Sequence, residues 1–541
     1  MKIHGSILKM YRDLHSWVGI GAGILLFICF VAGSLTMFDH EISGWAQPVK
    51  QHYPIPELSA YDDAYAQLQQ LHPKAAAGVT VYFNADAPAP FVWQETPSRG
   101  FQLRNPLYYA GLDQNGQLQV SRSETSQLGE LIDLLHRTAG IPGLAGHHYL
   151  GEIVMGVASL LYFIALVSGV VLLLPNLVQD FFSLRRQSHK KFWLDSHNLL
   201  GLTSLPFHIV ISITVVVFAF HDPIYDHLEQ YVQVPEAEQF VPQRPAQSAA
   251  TSLQPISALY QQARAKGNGA TVTELRMMLS GPRQTVRAAL QSEPHYTRGA
   301  RNGYLMLNPA TAEVQNNAMV PGAQPGYGAA VDLAFAAHFG GYGGYGLKWL
   351  YFLLGLAGAM LFYSGNLLWL ETRRVKQLAA EQPAKVRFVA ALTVGACNGC
   401  LLGLAASLLA SKWLSSMTGD INSLTMALYY LVFIGTLVWS FAQGAAKSAL
   451  LQLKLLALLL LALLLALLLL ALLLALLLLA VPLSSLLAPL VPAAGVWPAR
   501  DGSEWLLEFT VLVLALGCYA FAALLQRRFY QAKTDSIWAL A

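Results

Sequence analysis

The sequence predicts an α-helical membrane protein with eight transmembrane helices, a duplicated four-helix core and two small α+β domains outside the bilayer. Three observations predict it. The 541 residues are 55% hydrophobic and only 12% charged, against about 25% charged in an ordinary soluble domain. Eight stretches reach the roughly 20 apolar residues that a bilayer core requires. The first 375 residues read as one unit written twice. This composition excludes a soluble enzyme, and a net charge of +3 is too small to point to nucleic acid. The four cysteines, Cys29, Cys397, Cys400 and Cys518, all fall in apolar stretches, so no disulfide framework is readable.

The predicted spans are 17–38, 150–174, 198–220, 347–370, 388–410, 423–443, 453–481 and 505–526. The first lacks a small-residue cleavage site and runs directly into Phe38-Asp39-His40, so it reads as a retained helix. Lysine and arginine in short loops set the orientation. Lys2, Lys9 and Arg12 precede the first span, and Arg185, Arg186, Lys190 and Lys191 lie between the second and third. Arg373, Arg374, Lys376, Lys385 and Arg387 follow the fourth, and Arg527, Arg528 and Lys533 form the tail. An even number of spans puts all four groups on the cytoplasmic side, with both termini inside and the two long segments outside.

The repeat can be followed through named residues. Leu14-His15-Ser16 corresponds to Ser196-His197-Asn198, Phe38-Asp39-His40-Glu41 to Ala219-Phe220-His221-Asp222, and Leu134-Leu135-His136-Arg137 to Ala336-Ala337-His338-Phe339. The offsets are 182, 181 and 202 residues. Two near-equal offsets argue for duplication, and the third differs by a loop insertion. Each unit holds two spans, so both enter the bilayer in the same direction, with the symmetry axis along its normal. The expected divisions are 1–40 (first span), 41–146 (first outer domain), 147–221 (second and third spans), 222–345 (second outer domain with its linker), 346–375 (fourth span) and 376–541 (four additional spans).

The outer segments read as helix followed by strands. Leu58–Leu71 is helical by spacing, Val79–Phe83, Pro90–Gln94 and Tyr108–Leu112 are strand-like, and Asp113-Gln114-Asn115-Gly116 is a turn. In the second segment Pro255–Ala265 is helical. Val272–Met278, Thr285–Leu290 and Gly303–Leu307 are strand-like, and the turn is Asn308-Pro309-Ala310-Thr311. Residues 235–256, rich in Pro, Gln, Ala and Ser, read as a linker.

Four short motifs now stand in order with spans between them: Asp13-Leu14-His15-Ser16-Trp17, Leu135-His136-Arg137, Phe192-Trp193-Leu194-Asp195-Ser196-His197-Asn198 and His338-Phe339-Gly340-Gly341. With the Leu307–Thr311 hairpin turn, they make residues 10–375 resemble the PepSY-associated transmembrane family, which includes siderophore-linked iron reductases such as the ferrioxamine reductase. The resemblance implies two PepSY-like periplasmic domains over a b-type haem protein of the bacterial inner membrane, acting in ferric-siderophore uptake.

Against that resemblance the histidines acquire roles. Ionisable residues in or near spans are costly and are functional candidates by default, and two axial histidines suit an electron-transfer haem. A duplicated chain supplies such a site when each half donates the equivalent residue. His15 and His197 would hold an inner haem b, and His136 and His338 an outer one. His40 and His221 form a third equivalent pair that could ligate the outer haem instead. His208 sits mid-span without a repeat partner and reads as a core histidine, with ligation as its alternative. From His15 to His40 the chain rises about 37 Å as helix, which places two haems near opposite faces.

The implied path runs from a quinol or a cytoplasmic donor through both haems to ferric iron in a siderophore outside. Reduction releases the iron because Fe(II) binds hard oxygen ligands less tightly than Fe(III). No catalytic acid or nucleophile is assigned, and the Gly/Tyr run Tyr342–Tyr345 is a candidate docking element. Cys397-Asn398-Gly399-Cys400 lies inside an apolar span without a second CxxC and reads as packing. The Leu/Ala run Ala457–Ala480 has no small-residue face and reads as lipid-facing. No Gly-rich nucleotide fingerprint, P-loop or zincin motif occurs. Two other classes remain open: a siderophore or iron permease through the last four spans, and a cofactor-free sensor or protease modulator acting through the outer domains.

Overall fold

A computed structural model describes residues 4–46, 53–85, 87–94, 107–123, 126–145, 148–177, 183–185, 188–228, 253–280, 284–324, 326–375, 378, 381–415, 418–456 and 458–459, with scattered positions between 506 and 527. The predicted seventh and eighth spans and the 235–256 linker therefore lie almost wholly outside the described residues.

Five helices are long and apolar enough to cross a bilayer: α1 (Gly5–Thr36), Leu150–Leu173, Gly344–Arg373, Ala384–Leu414 and Ile421–Gln443. The predicted third span is two helices, 190–203 and 205–218, meeting at a 70° bend. The cause is Pro206, which lacks an N–H and cannot extend the ladder of the preceding turn. Ser204 closes that turn instead, its backbone N–H and its hydroxyl both donating to the Leu200 carbonyl. Among the described residues the chain thus has five candidate spans, or six with the bent pair counted.

At the sheet end of α1 follow α2 (Asp39–Trp45), α3 (Ala60–Leu71) and α4 (Pro73–Ala76). Strands β1 (Thr80–Tyr82), β2 (Phe91–Gln94), β3 (Leu107–Leu112) and β4 (Leu118–Ser123) then lead to α5 (Leu128–Thr138), the two-residue strands β5 (Leu144–Ala145) and β6 (His148–Tyr149), and the span α6 (Leu150–Leu173). The second half runs α7 (His189–Thr203), α8 (Leu205–Leu228), α9 (Ile256–Lys266), β7 (Thr271–Met278), β8 (Thr285–Gln291), β9 (Gly303–Leu307), β10 (Val314–Met319), α10 (Tyr327–Phe339) and α11 (Gly344–Arg373). Helices α12 (Ala384–Leu414) and α13 (Ile421–Gln443) follow, and residues 445–456 are helical as well.

Helix α1 packs between α6 and α11, α8 packs on α6 and α7 on α11, so the bent pair closes a ring around the core. That core is Leu26, Phe27, Phe30, Val31, Met155, Tyr162 and Phe352, with Cys397 and Leu404 of α12 against it. Helix α5 joins the same core through Leu128, Leu131, Ile132 and Leu135, the i, i+3, i+4, i+7 stripe of an amphipathic helix. Each such side chain contributes about 1.5–3 kcal/mol over leaving it in water.

The outer strands form one eight-stranded sheet in the order β10-β9-β8-β7-β1-β2-β3-β4. The sequence suggests two small domains; the structure joins their sheets edge to edge. Thr80, Val81 and Tyr82 pair antiparallel with Arg276, Leu275 and Glu274. Each half alone would leave its first strand as an open edge with unpaired backbone groups, and the junction satisfies both. One face is covered by α3 and α9, burying Val81, Phe91, Leu275, Met277, Val286 and Leu305. The opposite face looks toward the helix bundle.

Candidate functional site: two histidine pairs along the bundle

The structure brings together the two histidine pairs that the repeat singles out. The rings of His15 and His197 lie with centroids 6.0 Å apart. Those of His136 and His338 lie 6.3 Å apart.

In the first pair, His15 on α1 bonds through Nδ1 to the Ala165 carbonyl at 2.8 Å and to Ser168 Oγ at 3.2 Å. His197 on α7 repeats this, with Nδ1 at 3.1 Å from the Leu361 carbonyl and 3.3 Å from Ser364 Oγ. Both serines spend their hydroxyl proton on that same carbonyl. A carbonyl only accepts, so each Nδ1 must carry the proton. Glycine makes room for each ring: a Cβ on Gly169 would stand 3.0 Å from His15 Cε1, and one on Gly365 3.2 Å from His197 Cε1.

In the second pair, His136 is carried by α5, which is pinned to the start of α6 by Arg137. Its guanidinium bonds Asp133 at 2.8 Å and Glu152 at 2.5 Å. His136 Nδ1 donates to the Cys29 carbonyl at 3.0 Å, and a Cβ on Gly33 would stand 2.6 Å from that nitrogen. His338, near the end of α10, bonds Thr214 Oγ1 of α8 at 2.9 Å. Thr214 Oγ1 also lies 2.8 Å from the Val210 carbonyl and 3.0 Å from that of Ile211, so its one proton goes either to a carbonyl or to His338 Nδ1.

The imidazoles of His15, His136 and His197 are therefore Nδ1–H tautomers. Their Nε2 lone pairs make no hydrogen bond among the described residues. A ring N–H given to a carbonyl or hydroxyl is the usual support of a metal-ligating histidine. Two imidazole nitrogens each about 2 Å from one ion, with each ring centre about 1 Å behind its nitrogen, would stand about 6 Å apart between ring centres, the spacing of both pairs. The residues thus fit a macrocycle held from both sides.

The sequence places two haems about 37 Å apart by the rise from His15 to His40. The structure seats the outer pair against Cys29 and Gly33 instead, which along α1 is about 21–27 Å from His15. Helix α5 carries His136 down into the core, which shortens the separation. His40 is exposed on α2, away from the second pair, and the His221 side chain lies outside the described residues.

His208 is fully buried between the two pairs. Its Nδ1 is 2.5 Å from the Tyr162 hydroxyl, and its Nε2 has no partner among the described residues. Phe30, Tyr162, Phe207 and His208 form one ring cluster with centroids 5.7–6.5 Å apart. Gly358 leaves the room: a Cβ there would stand 2.5 Å from Phe30 and 2.9 Å from His208. Cys397 and Cys400 are buried free thiols in α12.

A cavity of about 1540 Å³ runs from His136 and His338 to the open face of the sheet. It is lined at the bundle by Phe30, Tyr162, Phe339, Gly340 and Gly341, and at the sheet by Thr80, Tyr82, Gln94 and Arg276. Cofactor and ligand pockets occupy about 300–1,000 Å³, so there is space beyond one flat ring system.

The profile of the family described as PepSY-associated TM region matches residues 12–372, two thirds of the chain. The protein belongs to the PepSY-associated transmembrane family. No curated protein matches it. The family match covers all four paired histidines and the whole sheet, and stops at the end of α11. The apolar spans make this PepSY-associated protein a multi-pass membrane protein. What sequence reasoning missed in it are the supports: Ser168, Gly169, Ser364, Gly365, Cys29, Gly33 and Thr214. The first four leave a readable trace, since Ser-Gly recurs 196 residues apart inside the second and fourth spans.

Proposed function

We propose that this PepSY-associated protein is an eight-span, internally duplicated electron-transfer protein of the bacterial inner membrane, with both termini cytoplasmic and the sheet periplasmic, and that it reduces siderophore-bound ferric iron. The observation that carries the reading is the arrangement of four imidazoles, each held through Nδ1, in two facing pairs at 6.0 and 6.3 Å, stacked along one bundle. Two b-type haems held there, one by His15 and His197 and one by His136 and His338, would supply one-electron transfer through the membrane core. Ser168 and Ser364 fix the inner rings, and the Cys29 carbonyl and Thr214 fix the outer ones. The Phe30–Tyr162–His208 cluster fills the core between the pairs and excludes water from it. The outer pair opens to the large cavity, so an acceptor reaches that end without entering the bilayer. The electron donor, a quinol or a cytoplasmic protein, meets the His15–His197 end.

The test is the oxidised and dithionite-reduced spectrum of the purified protein with its haem-to-protein ratio. Two b-type haems per chain are expected, falling to about one in His15→Ala or His338→Ala. A protein that stays colourless when expressed with excess haem overturns the reading and favours a permease or a cofactor-free sensor.

A further inference from the structure

The cavity has a charged roof. Arg276 of β7 lines it, and Arg287 stands directly opposite on β8, on the same face of the sheet. Like charges in directly opposed positions are destabilising. Arg287 stacks its guanidinium over Tyr304 at 4.7 Å, and its buried Nε has no hydrogen-bond partner among the described residues. The one carboxyl beside them is Glu274, two residues from Arg276 on the same strand and opposite Tyr82 of β1. Burial pushes its pKa up, against the pull of Arg287 and Arg276, and its single carboxylate faces two guanidinium groups. The remaining ions at the cavity are paired except Lys74 of α4, which has no ion pair among the described residues. Arg301 holds Asp39 at 2.7 Å, Lys348 holds Glu41 at 3.2 Å, and Arg137 holds Asp133 at 2.8 Å. Excess positive charge is thus concentrated at the roof, flanked by the hydrogen-bonding side chains of Thr80, Tyr82 and Gln94.

We propose that the roof at Arg276 and Arg287 binds the carboxylates of an anionic ferric chelate, seating it in the cavity between the open face of the sheet and the His136–His338 pair. This rests on the electron-transfer reading above and names its substrate class: a polycarboxylate complex of iron rather than a neutral or cationic hydroxamate. Arg276 presents a guanidinium that takes a carboxylate through two parallel hydrogen bonds. Arg287 adds charge behind it. Gln94 donates to a remaining oxygen, while the Tyr82 hydroxyl is held by Glu274.

The experiment is equilibrium binding of radio-iron-labelled citrate to the purified full-length protein, in competition with a cationic ferric trihydroxamate, with haem content measured on the same samples. The wild type binds ferric citrate in preference to the cationic complex. Arg276→Gln weakens that binding tenfold or more, Arg276→Lys weakens it less, and haem content is unchanged in both. Arg287→Met, whose side chain keeps the stack on Tyr304, gives a second variant if Arg276→Gln does not accumulate. Equal binding by wild type and Arg276→Gln overturns the proposal. So does preference for the cationic complex, or loss of haem in Arg276→Gln, which would make Arg276 a partner of haem propionates. A colourless protein that still binds ferric citrate through Arg276 keeps this site and ends the haem reading. A haem-loaded protein without such binding does the reverse.

Discussion

His15 and His197 face each other at 6.0 Å, and each is held from behind by the carbonyl and the serine hydroxyl of one helical turn, Ala165 with Ser168 and Leu361 with Ser364. Two helices from different halves of the chain therefore present the same ring in the same tautomer to a shared gap.

Removing either serine leaves the carbonyl bond intact, so ligation should survive with a weaker grip. Ser168→Ala and Ser364→Ala are expected to lower affinity at the inner site by roughly ten- to a hundredfold, the usual cost of losing an outer-shell partner. Redox titration should find one midpoint moved and the other in place. Two unmoved midpoints, with haem retained as in the wild type, would count against the support role.

Glycine at 33 is a steric requirement. A methyl there would stand 2.6 Å from His136 Nδ1, whereas at Gly21 on the same helix nothing lies within 4 Å. Gly33→Ala should lose the outer haem selectively. Gly21→Ala should keep both haems and gain up to about 1 kcal/mol from helix propensity. Haem ratio and thermal unfolding of the two variants, made side by side, decide it.

The Tyr162–His208 bond is buried on both sides. Tyr162→Phe leaves His208 Nδ1 without its partner beside an Nε2 already lacking one, and should cost about 1–3 kcal/mol. His208→Leu removes both ring nitrogens but leaves the Tyr162 hydroxyl only the residue-208 carbonyl at 3.4 Å, so it should destabilise too, and the Tyr162→Phe/His208→Leu double variant should cost less than the two singles combined. Thermal denaturation in one detergent ranks them, with haem content expected to stay at the wild-type ratio. A haem lost with His208→Leu would make His208 a ligand.

Asp113 closes the β3–β4 hairpin by accepting from the backbone N–H groups of Asn115 at 2.8 Å and Gln117 at 2.9 Å. The bond from Gln117, then that from Asn115, favours the carboxylate and holds its pKa below the ordinary value. A depressed folded-state pKa gives stability that is present above the unfolded pKa and is lost as pH falls through the folded one. Amide protection factors in 107–123 should therefore fall on acidification below the usual carboxylate range. Asp113→Asn should flatten that dependence.

The histidine pairs were legible because each histidine has a counterpart at a similar offset in the second half, and such a pairing is visible in one dimension. Their supports were not, because Ala165, Leu361 and Cys29 contribute only a carbonyl, which any residue has. The depth of the outer pair was hidden for a related reason. The sequence assigns His136 to the first outer domain, 41–146, yet the Leu128–Leu135 stripe of its helix packs into the membrane bundle. Strands β4 and β10 escaped because they are polar edges, where side chains need not alternate. The β1–β7 pairing was unreadable because its three-residue ladder joins segments almost two hundred residues apart, with no local signal on either side.

That short ladder has a mechanical consequence. With Thr80, Val81 and Tyr82 tied to Arg276, Leu275 and Glu274, the roof is a single plate rather than two flaps. A hinge between its halves would have to tear the ladder, so the plate tilts as a whole or stays closed, and entry lies along its flanks. Thr80 and Tyr82 belong to one half of the chain and Arg276 to the other. A guest seated under the seam loads both halves at once and couples them like a yoke.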